Sequence, residues 1–113
     1  MSITVEKLLG DPVLALSVAA GRGGLGRTIL TPELNRPCFE LTGYFEAFRA
    51  ERIQVIGNGE ISYIDAHAQE AALAAHVARI LDAKVPCAIV TNGRPPPRVM
   101  ADRADEVGIP ILG

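Results

Sequence analysis

The sequence predicts an α/β fold, a layered α/β/α arrangement around a mostly parallel mixed sheet. Two observations carry this. The second half alternates: apolar runs at 53–56, 87–91 and 109–112 read as strands, and 65–84 and 96–107 between them read as helices. That alternation implies right-handed βαβ crossovers and parallel pairing. The first half holds two short β-type runs on either side of a glycine-rich turn, the pattern of a hairpin, so the sheet should be mixed.

The elements follow in order. Thr4 can cap a short helix whose apolar face is Val5, Leu8 and Leu9 and whose stop is Gly10. After Asp11-Pro12, Val13 to Ala19 suits a buried strand, and Arg27 to Thr31 a second one ended by Pro32. Asn35-Arg36-Pro37 makes a turn. Phe39, Leu41, Tyr44, Phe45 and Phe48 follow it, the densest aromatic material in the chain, and read as core. Gly57-Asn58-Gly59 reads as a turn after the strand 53–56. Asp65 is the expected N-cap of the longest helix, whose stripe is Leu73, Val77, Ile80 and Leu81. Pro86 forbids its continuation. Cys87 to Thr91 is an unpunctuated apolar run, as in a strand covered on both faces. Pro95, Pro96 and Pro97 prepare a last helix that ends at Gly108.

At 113 residues the chain makes one domain, 1–113, with 49% apolar and 21% charged residues. A net charge of −2 offers no surface for nucleic acid or an anionic membrane. No apolar run reaches the roughly 20 residues of a membrane span, and the N-terminus lacks signal-peptide character. A cytoplasmic location is the expectation. Cys38 and Cys87 form no disulfide framework and read as small buried hydrophobes.

Few motifs carry chemistry. Gly21, Gly23 and Gly26 satisfy G-x-G-x-x-G, and Gly21 to Thr28 matches a P-loop except that Arg27 replaces its lysine. Both motifs need a helix directly after the turn, and Thr28-Ile29-Leu30-Thr31-Pro32 is too short and too β-branched to supply one. His67 and His76 stand nine positions apart, on opposite faces of one predicted helix, and cannot share a metal. No ligand set has zinc or calcium spacing, so no metal and no catalytic residue is expected. Asp102, Asp105 and Glu106 form an acidic face, either solvated or a docking patch. The loops beyond the carboxyl ends of the strands are the candidate ligand site: Asn35, Arg36, Gly57, Asn58, Gly59, Glu60, Thr91, Asn92, Gly93 and Arg94. They offer backbone N–H groups, guanidinium and amides suited to a small anion. Ordinary turn chemistry explains the same residues.

The block Asn35-Arg36-Pro37, Leu41-x-Gly43-Tyr44-Phe45 and Arg52-Ile53-Gln54-Val55-Ile56-Gly57 with Glu60-x-x-Tyr63 resembles the N-terminal domain of HPr kinase/phosphorylase. Gly24-Leu25-x-Arg27-x-Ile29 and Gly108-Ile109-Pro110-Ile111-Leu112 extend the resemblance over nearly the whole chain. Cys38-Phe39 and the Ala-rich helix depart from the family pattern. The resemblance implies a fold similar to the N-terminal domains of Mur ligases and a non-catalytic regulatory or architectural role. The parent enzyme phosphorylates and dephosphorylates a serine of the phosphotransferase carrier HPr. Its P-loop, ATP, Mg and catalytic aspartate belong to a later domain, so no cofactor is expected in this chain. Candidate partners are that kinase domain, an HPr-like carrier, a small anionic ligand and a second copy. The alternative reading is a free-standing small-anion or nucleotide-binding signalling module of the same fold.

Overall fold

A computed structural model describes residues 2–113. The described residues form seven strands and five α-helices in the order β1 (Ile3–Thr4), α1 (Val5–Leu9), β2 (Val18–Ala20), β3 (Thr28–Ile29), β4 (Leu34–Asn35), α2 (Cys38–Leu41), β5 (Ile53–Ile56), α3 (Asn58–Ala66), α4 (Ala71–Asp82), β6 (Ala88–Val90), α5 (Arg98–Val107) and β7 (Ile111–Leu112). Five strands form the main sheet in the order β2-β7-β6-β5-β4, and β1 pairs with β3 in a separate ribbon. In the main sheet pairing is parallel from β4 through β7 and antiparallel between β2 and β7; the β1–β3 ribbon is antiparallel. The expected α/β fold and mostly parallel mixed sheet are therefore present.

Strand order decides which face is covered. β4, β5, β6 and β7 are laid down side by side in one direction, and right-handed crossovers that all step the same way put their helices on the same face. One core accordingly joins Leu41 of α2, Ile61 and Ile64 of α3, Val77 and Ile80 of α4, and Met100 and Ala104 of α5 to Ile56, Ala88 and Ile111 of the sheet. The opposite face is closed by α1 and the β1–β3 ribbon, where Val5 and Ile29 pack on Ile53, Cys87 and Leu112.

The expected hairpin is not formed. Val18 pairs with Leu112 and Ile3 pairs with Ile29, so the two runs join different sheets. Only Val18 and Ala19 of the run from Val13 to Ala19 are strand, and β2 continues to Ala20. Val13 N–H donates to Asp11 Oδ1 at 2.9 Å and Ala15 turns through φ 51°, which breaks extended geometry before it starts. Val13 and Leu14 stand in solvent. The aromatic stretch also divides. α2 is one turn long and ends before Gly43 (φ 98°), burying Leu41 but leaving Phe39 and Tyr44 exposed, edge to face at 6.0 Å. Phe45 and Phe48 reach the core, and the Arg79 guanidinium lies 4.1 Å from the Phe45 ring centre.

The single helix expected over 65–84 is two helices. The first starts at Asn58, within the expected Gly-Asn-Gly turn, and ends at His67; Glu70 is extended before α4 begins. Ile64 and Leu73 are nine residues apart, which on one continuous helix places them half a turn out of phase. Both are buried in the same core, so the break is what brings their faces into register.

Candidate functional site

Parallel pairing from β4 to β6 puts the segments after them on one edge of the sheet. Thr91 N–H donates to Ile56 O at 3.0 Å and keeps the loops after β5 and β6 adjacent. Asn35, Arg36, Gly57–Glu60 and Thr91–Arg94 therefore share this edge.

Glu60 organises it. Its side chain is buried to 3% exposure and takes three donors: Gly57 N–H on Oε1 at 2.7 Å, Arg36 Nη2 on Oε1 at 2.9 Å and Cys38 Sγ on Oε2 at 2.7 Å. Burial by itself pushes this carboxyl up; the hydrogen bonds from Arg36, Cys38 and the backbone outweigh it and hold it at about 2. The same bond and charge raise the Arg36 guanidinium. The Cys38 thiol is pushed up to about 11 by burial and then by its bond to Glu60. Glu60, three residues after Gly57, tethers the helix start by its carboxylate, which is why α3 begins where the sequence pattern suggests a turn. Cys38 thus has a polar partner in place of the apolar burial expected of it; Cys87 is buried, and its thiol is pushed up to about 12.

Asn35 does not point at this cluster. Its Nδ2 donates to Gln54 Oε1 at 2.7 Å, while Gln54 Nε2 donates to Arg49 O at 3.0 Å and Arg52 O at 2.9 Å. Gln54 is fully buried, and it ties the 49–52 turn to the edge strand. The β-strand pattern of Ile53–Ile56 gave no signal for that role.

The third loop reaches the far end of α3 rather than Glu60. Asn92 (φ 62°) and Gly93 (φ 66°) form the turn, Asn92 Nδ2 donates to Thr91 Oγ1 at 3.1 Å, and Arg94 Nη2 lies 3.8 Å from Asp65 Oδ2. Glu60 and Asp65 are separated by roughly 7–8 Å along α3. The guanidiniums of Arg36 and Arg94 are thus anchored at separate points of the edge. Asn58 and Gly59 are exposed in the first turn of α3, where helix N–H groups have no intrahelical acceptor. Beside them a hollow of about 280 Å³ is lined by Cys38, Leu41, Gly59, Glu60 and Tyr63. The strand order never reverses between β4 and β7, so the crevice that forms at a switch point in doubly wound sheets has no counterpart there.

The glycine motif does not fit a nucleotide. Arg22–Gly24 forms one 3-10 turn and the chain then enters β3, with no α-helix between. A Cβ on Gly21 would lie 1.8 Å from Ile109 O, and one on Gly24 would lie 1.9 Å from Gly108 O, so these glycines serve close backbone packing. Arg27, at the lysine position, donates to Val85 O and Lys84 O at 3.1 and 2.9 Å, beyond the end of α4. The acidic face is also engaged: Asp105 accepts from Gly21 N–H at 2.7 Å, and Arg103 pairs with Asp82 and Glu106. His67 caps α3 and stacks on Tyr63; His76 Nδ1 lies 3.1 Å from Leu41 O. Among the described residues no group of three or more His, Cys, Asp or Glu is placed to hold a metal ion. Among the described residues no helix is long and apolar enough to cross a membrane.

Fold and edge together define a small α/β domain with a structured polar rim. The family described as "HPr Serine kinase N terminus" matches residues 3–113, and the chain belongs to that family. It is 36% identical to an HPr kinase/phosphorylase of Geobacter sulfurreducens over 114 residues, covering 99% of this chain and 35% of that protein. The corresponding protein of Leptospira biflexa is 37% identical over 97% of this chain and 34% of its own length. That of Latilactobacillus sakei is 36% identical over 99% and 35%. The chain spans about a third of the length of the curated relatives it matches.

Proposed function

We propose that this chain is a non-catalytic regulatory or architectural domain for an HPr(Ser) kinase/phosphorylase, working with a kinase domain of the kind its relatives carry. The carrying observation is the family match over 3–113, essentially the whole domain. The side-chain geometry supports it: the strongest polar cluster, Arg36–Glu60–Cys38, is closed on itself, and both thiols are held in their protonated form. HPr is the protein substrate in this reading, and the kinase portion supplies the chemistry. The rim formed by Asn35, Arg36, Gly57–Glu60 and Thr91–Arg94 is its place for a small anionic effector, with the Asn58 and Gly59 amides and the open guanidinium edges as donors.

Two measurements test this. The purified chain, incubated with HPr and ATP, should give no phosphoserine; turnover would end the non-catalytic reading. Titration with inorganic phosphate, sugar phosphates and nucleotides, followed by amide shifts, should move Gly57, Asn58 and Asn92. Shifts confined elsewhere, or none at millimolar ligand, would remove the effector site.

A further inference from the structure

The loop between α1 and β2 presents apolar side chains to water on a built frame. Val13 is 89% exposed and Leu14 48%. Single exposed apolar residues are ordinary. Here two adjacent ones project from a loop that is held. Val13 N–H is bonded to Asp11 Oδ1, Ala15 N–H reaches Asp11 O at 3.2 Å, and Ala15 sits in the left-handed region at φ 51°. An alanine rarely adopts that conformation unless its surroundings impose it.

Gly113 is the neighbour of this loop. Ser17 N–H donates to Gly113 O at 2.8 Å, Gly113 N–H donates to Ser17 O at 3.0 Å, and Ser17 Oγ lies 3.3 Å from Gly113 O. The end of the last strand is thereby fixed beside the loop, and Val13 is four residues from Ser17, no more than roughly 14 Å of chain. In the relatives this domain makes up only about a third of the protein and the matching family is an N-terminal one. In such a relative, polypeptide that follows the equivalent of Gly113 starts within roughly that reach of Val13.

We propose that the loop Asp11–Leu16 is the docking face for the portion that follows the equivalent of Gly113 in those longer relatives. Pro12, Val13 and Leu14 insert into an apolar recess of that portion. The contact is small, so it works through proximity: a partner joined at Gly113 is held at millimolar effective concentration, enough for two or three apolar side chains. This rests on the regulatory reading above and adds the surface through which the domain is coupled.

The test joins this chain at Gly113 to the downstream two thirds of the Geobacter relative and compares amide hydrogen exchange with that of the chain alone. Residues 13–16 should exchange at least tenfold more slowly in the joined protein. The V13S/L14S form should return to the rate of the chain alone; both side chains face solvent, so that variant keeps its fold. Equal rates with and without the downstream portion would overturn the proposal. So would protection that survives V13S/L14S. Protection that appears in the isolated chain as its concentration rises would put a second copy on the loop and would also overturn it. HPr phosphorylation by the joined protein and by the downstream portion alone separates the two readings. A protected loop with unchanged phosphorylation sinks the regulatory role and leaves the docking face. Altered phosphorylation with an unprotected loop does the reverse.

Discussion

The guanidinium of Arg36 lies across Gly57, so that a Cβ on residue 57 would stand 2.3 Å from Arg36 Nη2. Backbone geometry does not require glycine there, because φ is −99°. Space does. Gly57→Ala should cost about 1 kcal/mol in urea denaturation as Arg36 is displaced from Glu60. In an Arg36→Ala background the same change should cost less than about 0.5 kcal/mol. Additive losses would show that the contact is not what selects glycine.

Glu60 should make the domain acid-sensitive. Its carboxyl is held at about 2 against an ordinary value of 4.5. A depressed carboxylate stabilises the fold above the unfolded value and loses that contribution as pH falls toward the folded one. Stability should therefore decline between about pH 4.5 and 2, by on the order of 2 kcal/mol from this group. Urea midpoints measured across that range should flatten in Glu60→Gln. That variant should also be less stable at pH 7, since it weakens the three hydrogen bonds that Glu60 accepts, one buried and two part-buried.

Cys38 should be a slow thiol although its residue is exposed. With its value near 11 against an ordinary 9.0, its thiolate fraction at pH 8 falls about a hundredfold. Iodoacetamide should label it correspondingly slowly, and Glu60→Gln should speed the reaction. Cys87, buried and near 12, should react only on unfolding. Fast native labelling of Cys38 would contradict the Cys38–Glu60 bond.

The glycine segment separates packing from phosphate binding. Gly24→Ala places a methyl 1.9 Å from Gly108 O, which is backbone, and should destabilise by about 3 kcal/mol or prevent folding. Gly23→Ala and Gly26→Ala meet nothing within 4 Å and should stay within about 0.5 kcal/mol of wild type. A thermal melt of each distinguishes this pattern from that of a phosphate loop, in which Gly23 and Gly26 are motif positions and Gly24 is not.

Legibility followed locality. The strands 53–56, 87–91 and 109–112 and the helix before Gly108 were readable because each is written in consecutive residues: a run or stripe of apolar side chains closed by proline or glycine. The two-helix break was encoded as well, in the half-turn mismatch between Ile64 and Leu73, but an apolar stripe read from Leu73 onward does not reveal it. The candidate rim was legible only as segments beyond the strand ends, and 58–60, read as a turn, are the start of α3. The rim's internal wiring was not legible, because a buried Glu60 and an exposed Glu60 have the same spacing to Gly57.

The sequence by itself determined a parallel βαβαβ half and the family resemblance that the match over 3–113 bears out; the sheet is mixed as expected, but through β2 against β7 and not through the hairpin that predicted it. Tertiary structure decided everything that depends on distant partners. β2 pairs with β7 rather than β3, because the ladder is completed by residues more than ninety positions away. All crossover helices share one face because β4 to β7 advance in a single direction, which leaves the other face to α1 and the β1–β3 ribbon. The charge of Glu60 was fixed the same way. A carboxylate becomes a buried anchor only when Arg36 and Cys38, more than twenty residues earlier, are brought against it by the pairing of β4 with β5. Hydrophobic periodicity acts along the chain; hydrogen-bond satisfaction and strand order act across it.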